Sequence, residues 1–186
     1  MELVLHIGAP KTGTTSLQES LERGRTVLAE HGWHYPRGMD GHRRNHNMLA
    51  AHFRAGRCRY IRDWYERERQ RAEYRGCDRI LLSAEELFRV AGGAGFEEPQ
   101  RHATPAERVQ GLIDALGVTD AWMVAYLRPQ PEFAESLYHL AVKRAGGFGG
   151  DIESYLPRID DALDYDTIAS AWEAALGSEQ IGRAHV

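Results

Sequence analysis

Three short apolar runs stand out along an otherwise mixed chain, at residues 3–7 (LVLHI), 80–83 (ILLS) and 121–127 (AWMVAYL). Each is nearly unbroken in apolar character and is flanked by turn or helix signals, the pattern of strands buried on both faces of a parallel sheet. Between the runs the apolar positions take helical spacing. Residues 14–31 carry Leu17, Leu21 and Leu28 on one face, with Gly24 weakening the middle and Gly32 at the end. Thr104-Pro105-Ala106-Glu107 spells a capping box with Pro at the first helical position, and the helix it opens stops at Gly117. Residues 132–145 and 166–176 predict two more helices. Strands alternating with helices predict an α/β fold with right-handed crossovers. No internal repeat and no linker rich in Pro, Gly or Ser divides the chain.

Composition narrows the class. A chain of 186 residues suits one domain. Its 42% hydrophobic and 27% charged residues are ordinary for a globular protein. The formal net charge of −4 gives no global reason to bind nucleic acid or an anionic membrane. Residues 54–79 hold nine Arg interleaved with aromatic residues, which alone would fit a nucleic-acid surface. Asp63, Glu66, Glu68, Glu73 and Asp78 are mixed in, several at helical pair spacing from an Arg, so a solvated, salt-bridged helix is the expectation. No run of about 18 apolar residues exists, and the N-terminus lacks the basic region of a signal peptide, so a cytoplasmic protein without a membrane span is expected. The two cysteines, Cys58 and Cys77, are too few for a disulfide scaffold and fit no metal motif.

The last seven residues, Gln180 to Val186, can be encoded by CAG ATC GGA AGA GCA CAC GTC, which from its second base onward matches a common short-read sequencing adapter. The expectation is therefore a domain over 1–179, incomplete at its C-terminus, followed by a non-native tail over 180–186.

The strongest chemical signal is LHIGAPKTGTTSLQ at residues 5–18. A strand leads into a loop with Gly8, Pro10 and Gly13, and a helix opens at Thr14-Thr15. Glycines let backbone N–H groups converge on an anion, and the helix N-terminus adds unpaired donors and a positive dipole end. Lys11 adds a mobile charge, one of only two lysines against 21 arginines. This predicts a phosphate cradle at the carboxyl end of a strand. It is not a Walker A loop, because Thr14 stands where that motif needs Lys.

With this loop the sequence resembles the sulfotransferases that use 3′-phosphoadenosine 5′-phosphosulfate (PAPS), whose 5′-phosphosulfate loop reads much like PKTGTT at residues 10–15. Tyr126-Leu127-Arg128-Pro129 followed by Ser136-Leu137-Tyr138 resembles the family's 3′-phosphate motif, and ILLSAEELF at 80–88 resembles the middle strand and following helix of bacterial members. The resemblance implies a three-layer P-loop-NTPase-like fold, with a central parallel sheet flanked by helices and its C-terminal part missing. It implies in-line sulfuryl transfer, without a metal, to a hydroxyl or amine of a carbohydrate or other small acceptor. Pro10, Lys11, Thr12, Gly13, Thr14 and Thr15 would then hold the 5′-phosphosulfate. Lys11 would stabilise charge on the bridging oxygen as the S–O bond breaks, and Arg128 and Ser136 would bind the 3′-phosphate. Catalysis would be mostly positioning and electrostatics.

An acceptor hydroxyl must lose its proton, so a general base is expected near the strand ends. Glu85, directly after the strand at 80–83, is the first choice, and Glu86 the alternative one residue on. His46, within Asn45-His46-Asn47, either lines the acceptor site or acts as base, or is a surface loop histidine. The acceptor pocket is expected from the loops at 33–60 and 92–103. No role is assigned to His6 or His139. Two other classes stay open: an ATP-dependent kinase with an atypical P-loop, and a non-catalytic nucleotide-binding fragment.

Overall fold

Strand β1 (Glu2–Gly8) is the middle strand of a five-stranded sheet, in a computed structural model that describes residues 1–9, 13–41, 44–91, 103–144 and 146–185. Along the chain follow α1 (Thr14–Arg23), α2 (Arg25–Glu30), β2 (Trp33–His34), α3 (Met48–Arg54) and α4 (Cys58–Tyr74). Then come β3 (Arg79–Ser83), a 3-10 turn (Glu85–Val90), α5 (Pro105–Leu116), β4 (Ala121–Leu127) and α6 (Gln130–Lys143). The one-turn helices α7 (Ile152–Tyr155) and α8 (Asp160–Leu163) lead into α9 (Tyr165–Leu176) and β5 (Ile181–His185). The sheet order is β2-β3-β1-β4-β5 and every pairing is parallel. The molecule is thus α/β, with an all-parallel central sheet flanked by helices.

The register explains why the three apolar runs dominate the sequence. Leu3 pairs with Ile80 on one side and Ala121 on the other, and Leu5 with Leu82 and Met123. These six residues share one face of the sheet and are all buried, while on the other face Val4, Leu81 and Val124 are half-buried and Trp122 is exposed. Burying one Leu or Ile fully is worth about 1.5–3 kcal/mol.

The helices follow their local signals. Gly24 breaks the expected long helix into α1 and α2. The capping box forms as spelled: Glu107 N–H donates to Thr104 Oγ1 at 3.2 Å, and Thr104 N–H donates to the Glu107 carboxylate at 2.7 Å. Gly117 ends α5 at φ 74°, a left-handed conformation that Gly adopts without cost. Helix α4 is salt-bridged on its outer face, where Arg69 bonds Glu66 and Glu73. Its inner face is core, with Ile61, Trp64, Tyr65 and Ala72 buried. Even Glu68 is buried there, accepting from His34 Nε2 at 3.0 Å and pairing with Arg71.

Two strands lie outside the apolar runs. Strand β2 has only two residues and pairs with β3. Strand β5, within the stretch expected as a non-native tail, pairs with β4 from Met123↔Ile181 to Leu127↔His185. Ladder pairing uses backbone groups and makes no demand on side-chain identity. Among the described residues, no helix is long and apolar enough to cross a membrane.

Candidate active site

Several of the expected site residues gather at the carboxyl ends of β1 and β3. In an open parallel sheet, ligands bind outside these ends where the strand order changes direction. Here β3 and β4 flank β1 on opposite sides, so the change falls at β1. Residues 10–12, which include the expected Pro10, Lys11 and Thr12, lie outside the described residues. The description resumes at Gly13, whose φ of 76° is left-handed, and among the described residues no side chain caps α1, which starts at Thr14.

Thr14 joins the two strand ends. Its hydroxyl donates to Glu85 Oε2 at 2.5 Å, the length of a charge-assisted O–H···O⁻ bond. Glu85 opens the 3-10 turn directly after β3, and Ala84 N–H fixes that turn to His6 O at 2.9 Å. Glu86, one residue on, points to a different partner: Arg54 of α3 reaches its Oε2 at 3.4 Å. The adjacent carboxylates, exchangeable on sequence, are therefore separated by what they touch. Only Glu85 bonds the N-terminus of α1.

Beneath them lies a buried polar hub at Ser83. Gln18 of α1 donates to Ser83 Oγ at 3.1 Å, and His6 Nδ1 lies 2.7 Å from the same oxygen. Ser83 N–H donates to His46 Nδ1 at 3.0 Å, and His46 Nε2 sits 3.1 Å from Pro36 O. A carbonyl only accepts, so Nε2 carries the proton and Nδ1 accepts, which defines one neutral tautomer. Burial pushes His46 down to about 4, and His6 likewise to about 4.

The expectation for His46 is corrected accordingly. The residue is 0% exposed, its two ring nitrogens are taken by backbone groups, and it is absent from the cavity described below. It does not line that cavity, and it is buried rather than on a surface loop. It fastens residues 45–47 to the end of β3, and Asn47 Oδ1 in turn accepts from Glu86 N–H at 3.2 Å. His46 is thus a positioning residue for the turn that carries Glu85.

A cavity of about 680 Å³ opens beside this assembly, within the range typical of small-molecule sites. Gly13, Thr14, Thr15, Glu85 and Glu86 form one side, and residues from α6 through α9 form much of the rest. Among the described residues, none of the loop at 33–60 lines it, and Tyr35, Leu49, Ala50 and Phe53 of that loop are packed in the core. Of the other expected loop, residues 92–102 lie outside the described residues. The wall from α6 was legible as a stripe at Phe133, Leu137, Leu140 and Ala141, which share one helical face.

Arg128 and Ser136 are not on the cavity walls. Arg128 follows β4, and its Nε donates to Glu132 Oε2 at 3.1 Å within the first turn of α6. Ser136 lies one further turn along, half-buried. Glu132 is the residue sequence reasoning missed at this end, although its spacing of four from both Arg128 and Ser136 was visible. An exposed pair of this kind is worth about 0–1 kcal/mol. Among the described residues, no cluster of His, Cys, Asp and Glu could hold a metal ion.

Comparison with protein-family profiles finds none that matches the chain, and comparison with curated protein sequences finds no match either.

Proposed function

We propose that the chain is a PAPS-dependent sulfotransferase built on a three-layer P-loop-like fold. The observation that carries the reading is the 2.5 Å bond between Thr14 and Glu85, which ties the N-terminus of α1 to a candidate base on one cavity wall. The resemblance of residues 10–15 and 126–138 to the family's two phosphate motifs, in the same chain order, supports it.

In this reading Gly13, Thr14 and Thr15 hold the 5′-phosphosulfate at the uncapped start of α1, where partial positive charge concentrates. Arg128 exchanges Glu132 for the 3′-phosphate, and Ser136 donates a hydroxyl beside it. The acceptor oxygen attacks sulfur in line. A new S–O bond forms to the acceptor while the S–O bond to the 5′-phosphate breaks, and the acceptor proton passes to Glu85. Lys11 stabilises the charge left on the bridging oxygen, so that 3′,5′-adenosine diphosphate departs.

Thermal unfolding tests the reading. A ligand that binds only the native state raises the midpoint with its concentration. 3′,5′-Adenosine diphosphate raises it, and ATP with Mg²⁺ at equal concentration raises it less. A larger shift with ATP and Mg²⁺ would favour a kinase and overturn the proposal.

A further inference from the structure

We infer that the 680 Å³ cavity takes an amphiphilic anion: a molecule with an apolar body, a hydroxyl at one end and an acidic group at the other, held by Arg144 and Arg158. The inference rests on the sulfotransferase reading only for the fate of the hydroxyl. Phe133, Leu137, Leu140, Ala141 and Arg144 line the cavity at intervals that put them on one face of α6 and its C-cap. The stripe starts beside the turn that carries Glu85, since Phe133 and that turn's Phe88 both pack on Tyr165, at 6.2 and 5.8 Å between ring centres. Eleven residues later, about 16 Å along the helix at 1.5 Å per residue, the apolar stripe ends in the guanidinium of Arg144.

Arg158 meets the cavity from the segment that follows α7. Its guanidinium lies 4.7 Å over the Phe148 ring. Phe148 packs on Tyr155 at 5.3 Å, Tyr155 packs on Tyr138 of α6 at 5.8 Å, and Tyr138 donates to Gly150 O at 3.1 Å. This aromatic brace connects the exposed Arg158 to α6.

The charges on the walls are unevenly satisfied. Glu85 accepts from Thr14, Glu86 pairs with Arg54, and Asp161 acts on the Arg108 guanidinium. Arg89, Arg144 and Arg158 have no ion pair among the described residues, and of these Arg144 and Arg158 come from elements other than the turn of Glu85. A neutral saccharide would press its hydroxyls against Phe133, Leu137 and Leu140, where they find no partners, at a desolvation cost. An acidic amphiphile instead buries its chain on the stripe and gives the two guanidiniums their counter-charge.

The test is a calorimetric titration of the full chain with 10-hydroxydecanoate, its methyl ester, and the neutral disaccharide cellobiose. It is repeated with the Arg144→Ala/Arg158→Ala double variant, and 3′,5′-adenosine diphosphate is titrated into both proteins. The acid should bind about ten-fold more tightly than the ester, and cellobiose should bind most weakly. The double variant should lose that preference while keeping its affinity for the ester and for the nucleotide within about two-fold. Equal affinity for acid and ester, no binding of either, or preference for cellobiose overturns the inference. So does a double variant that loses nucleotide affinity, since the arginines would then serve the donor. Acid preference without nucleotide binding keeps this inference and removes the sulfotransferase reading. Nucleotide binding without acid preference does the reverse.

Discussion

Helices α1 and α5 start in opposite ways. The first donors of α5 are answered locally, by the Thr104 hydroxyl and the Glu107 carboxylate, and nothing at that end calls for a ligand. The start of α1 has a left-handed Gly13, no side-chain cap among the described residues and no acidic residue in its first turn. Both ends satisfy the same physics, that unpaired N–H groups attract negative charge. One supplies the charge from its own sequence. The other leaves the place open beside a cavity and spends the Thr14 hydroxyl on Glu85 instead of on itself. In the proposed function, the contrast teaches that a helix start serves as a site when its local cap is withheld and a second element converges on it.

Removing the charge assigned to the loop at α1 is the strongest way to break this contrast. Lys11→Ala should lower PAPS turnover by about 10²–10³-fold while 3′,5′-adenosine diphosphate affinity changes by only a few-fold, because the role assigned to Lys11 is in bond breaking. Equal losses in both would sink that role. Next in size is the pair of carboxylates. Glu85→Gln should cost about 10²-fold in kcat, whereas Glu86→Gln should cost only a few-fold, since Glu86 is engaged by Arg54. A reversed order would reassign the base.

Stability sharpens the same comparison. Thr104→Ala should lower stability by about 1 kcal/mol through the lost cap and leave nucleotide binding unchanged. Gly13→Ala should cost a similar amount, about 1–2 kcal/mol, through its left-handed φ, since an added Cβ there meets nothing within 4 Å. Unlike the α5 variant, it should also weaken nucleotide binding. Denaturant midpoints and titrations of the two variants check both halves. The smallest effect expected is at the other end of the site. Glu132→Gln should tighten 3′,5′-adenosine diphosphate binding by about two- to five-fold, because Glu132 competes for Arg128. Weaker binding would mean that Glu132 orients Arg128 instead.

The sequence-based reading worked where physics is local. The runs at 3–7, 80–83 and 121–127 became β1, β3 and β4 to within a residue at each end, although only one face is fully buried and Trp122 of β4 is exposed. The Thr104 box and the break at Gly24 are also local signals, and they formed as written. What failed was long-range. Two residues of β2 are too few to carry a period, and β5 reads Ile-Gly-Arg-Ala-His with no alternation. His46 sits among asparagines and looks like a loop residue, yet its partners are the backbone at Ser83 and Pro36, which only the fold brings near. The Glu85–Glu86 ambiguity had the same origin, since Thr14 is 71 residues away from the carboxylate it selects.

The central claim is that the open start of α1 and the end of β4 together bind a 3′-phosphorylated adenine nucleotide. Calorimetric titration of the folded chain with 3′,5′-adenosine diphosphate, against ATP with Mg²⁺, tests it most directly. The account predicts preference for the 3′-phosphorylated nucleotide, and loss of that preference in Arg128→Ala. Preference for ATP, or a preference that survives Arg128→Ala, would contradict it.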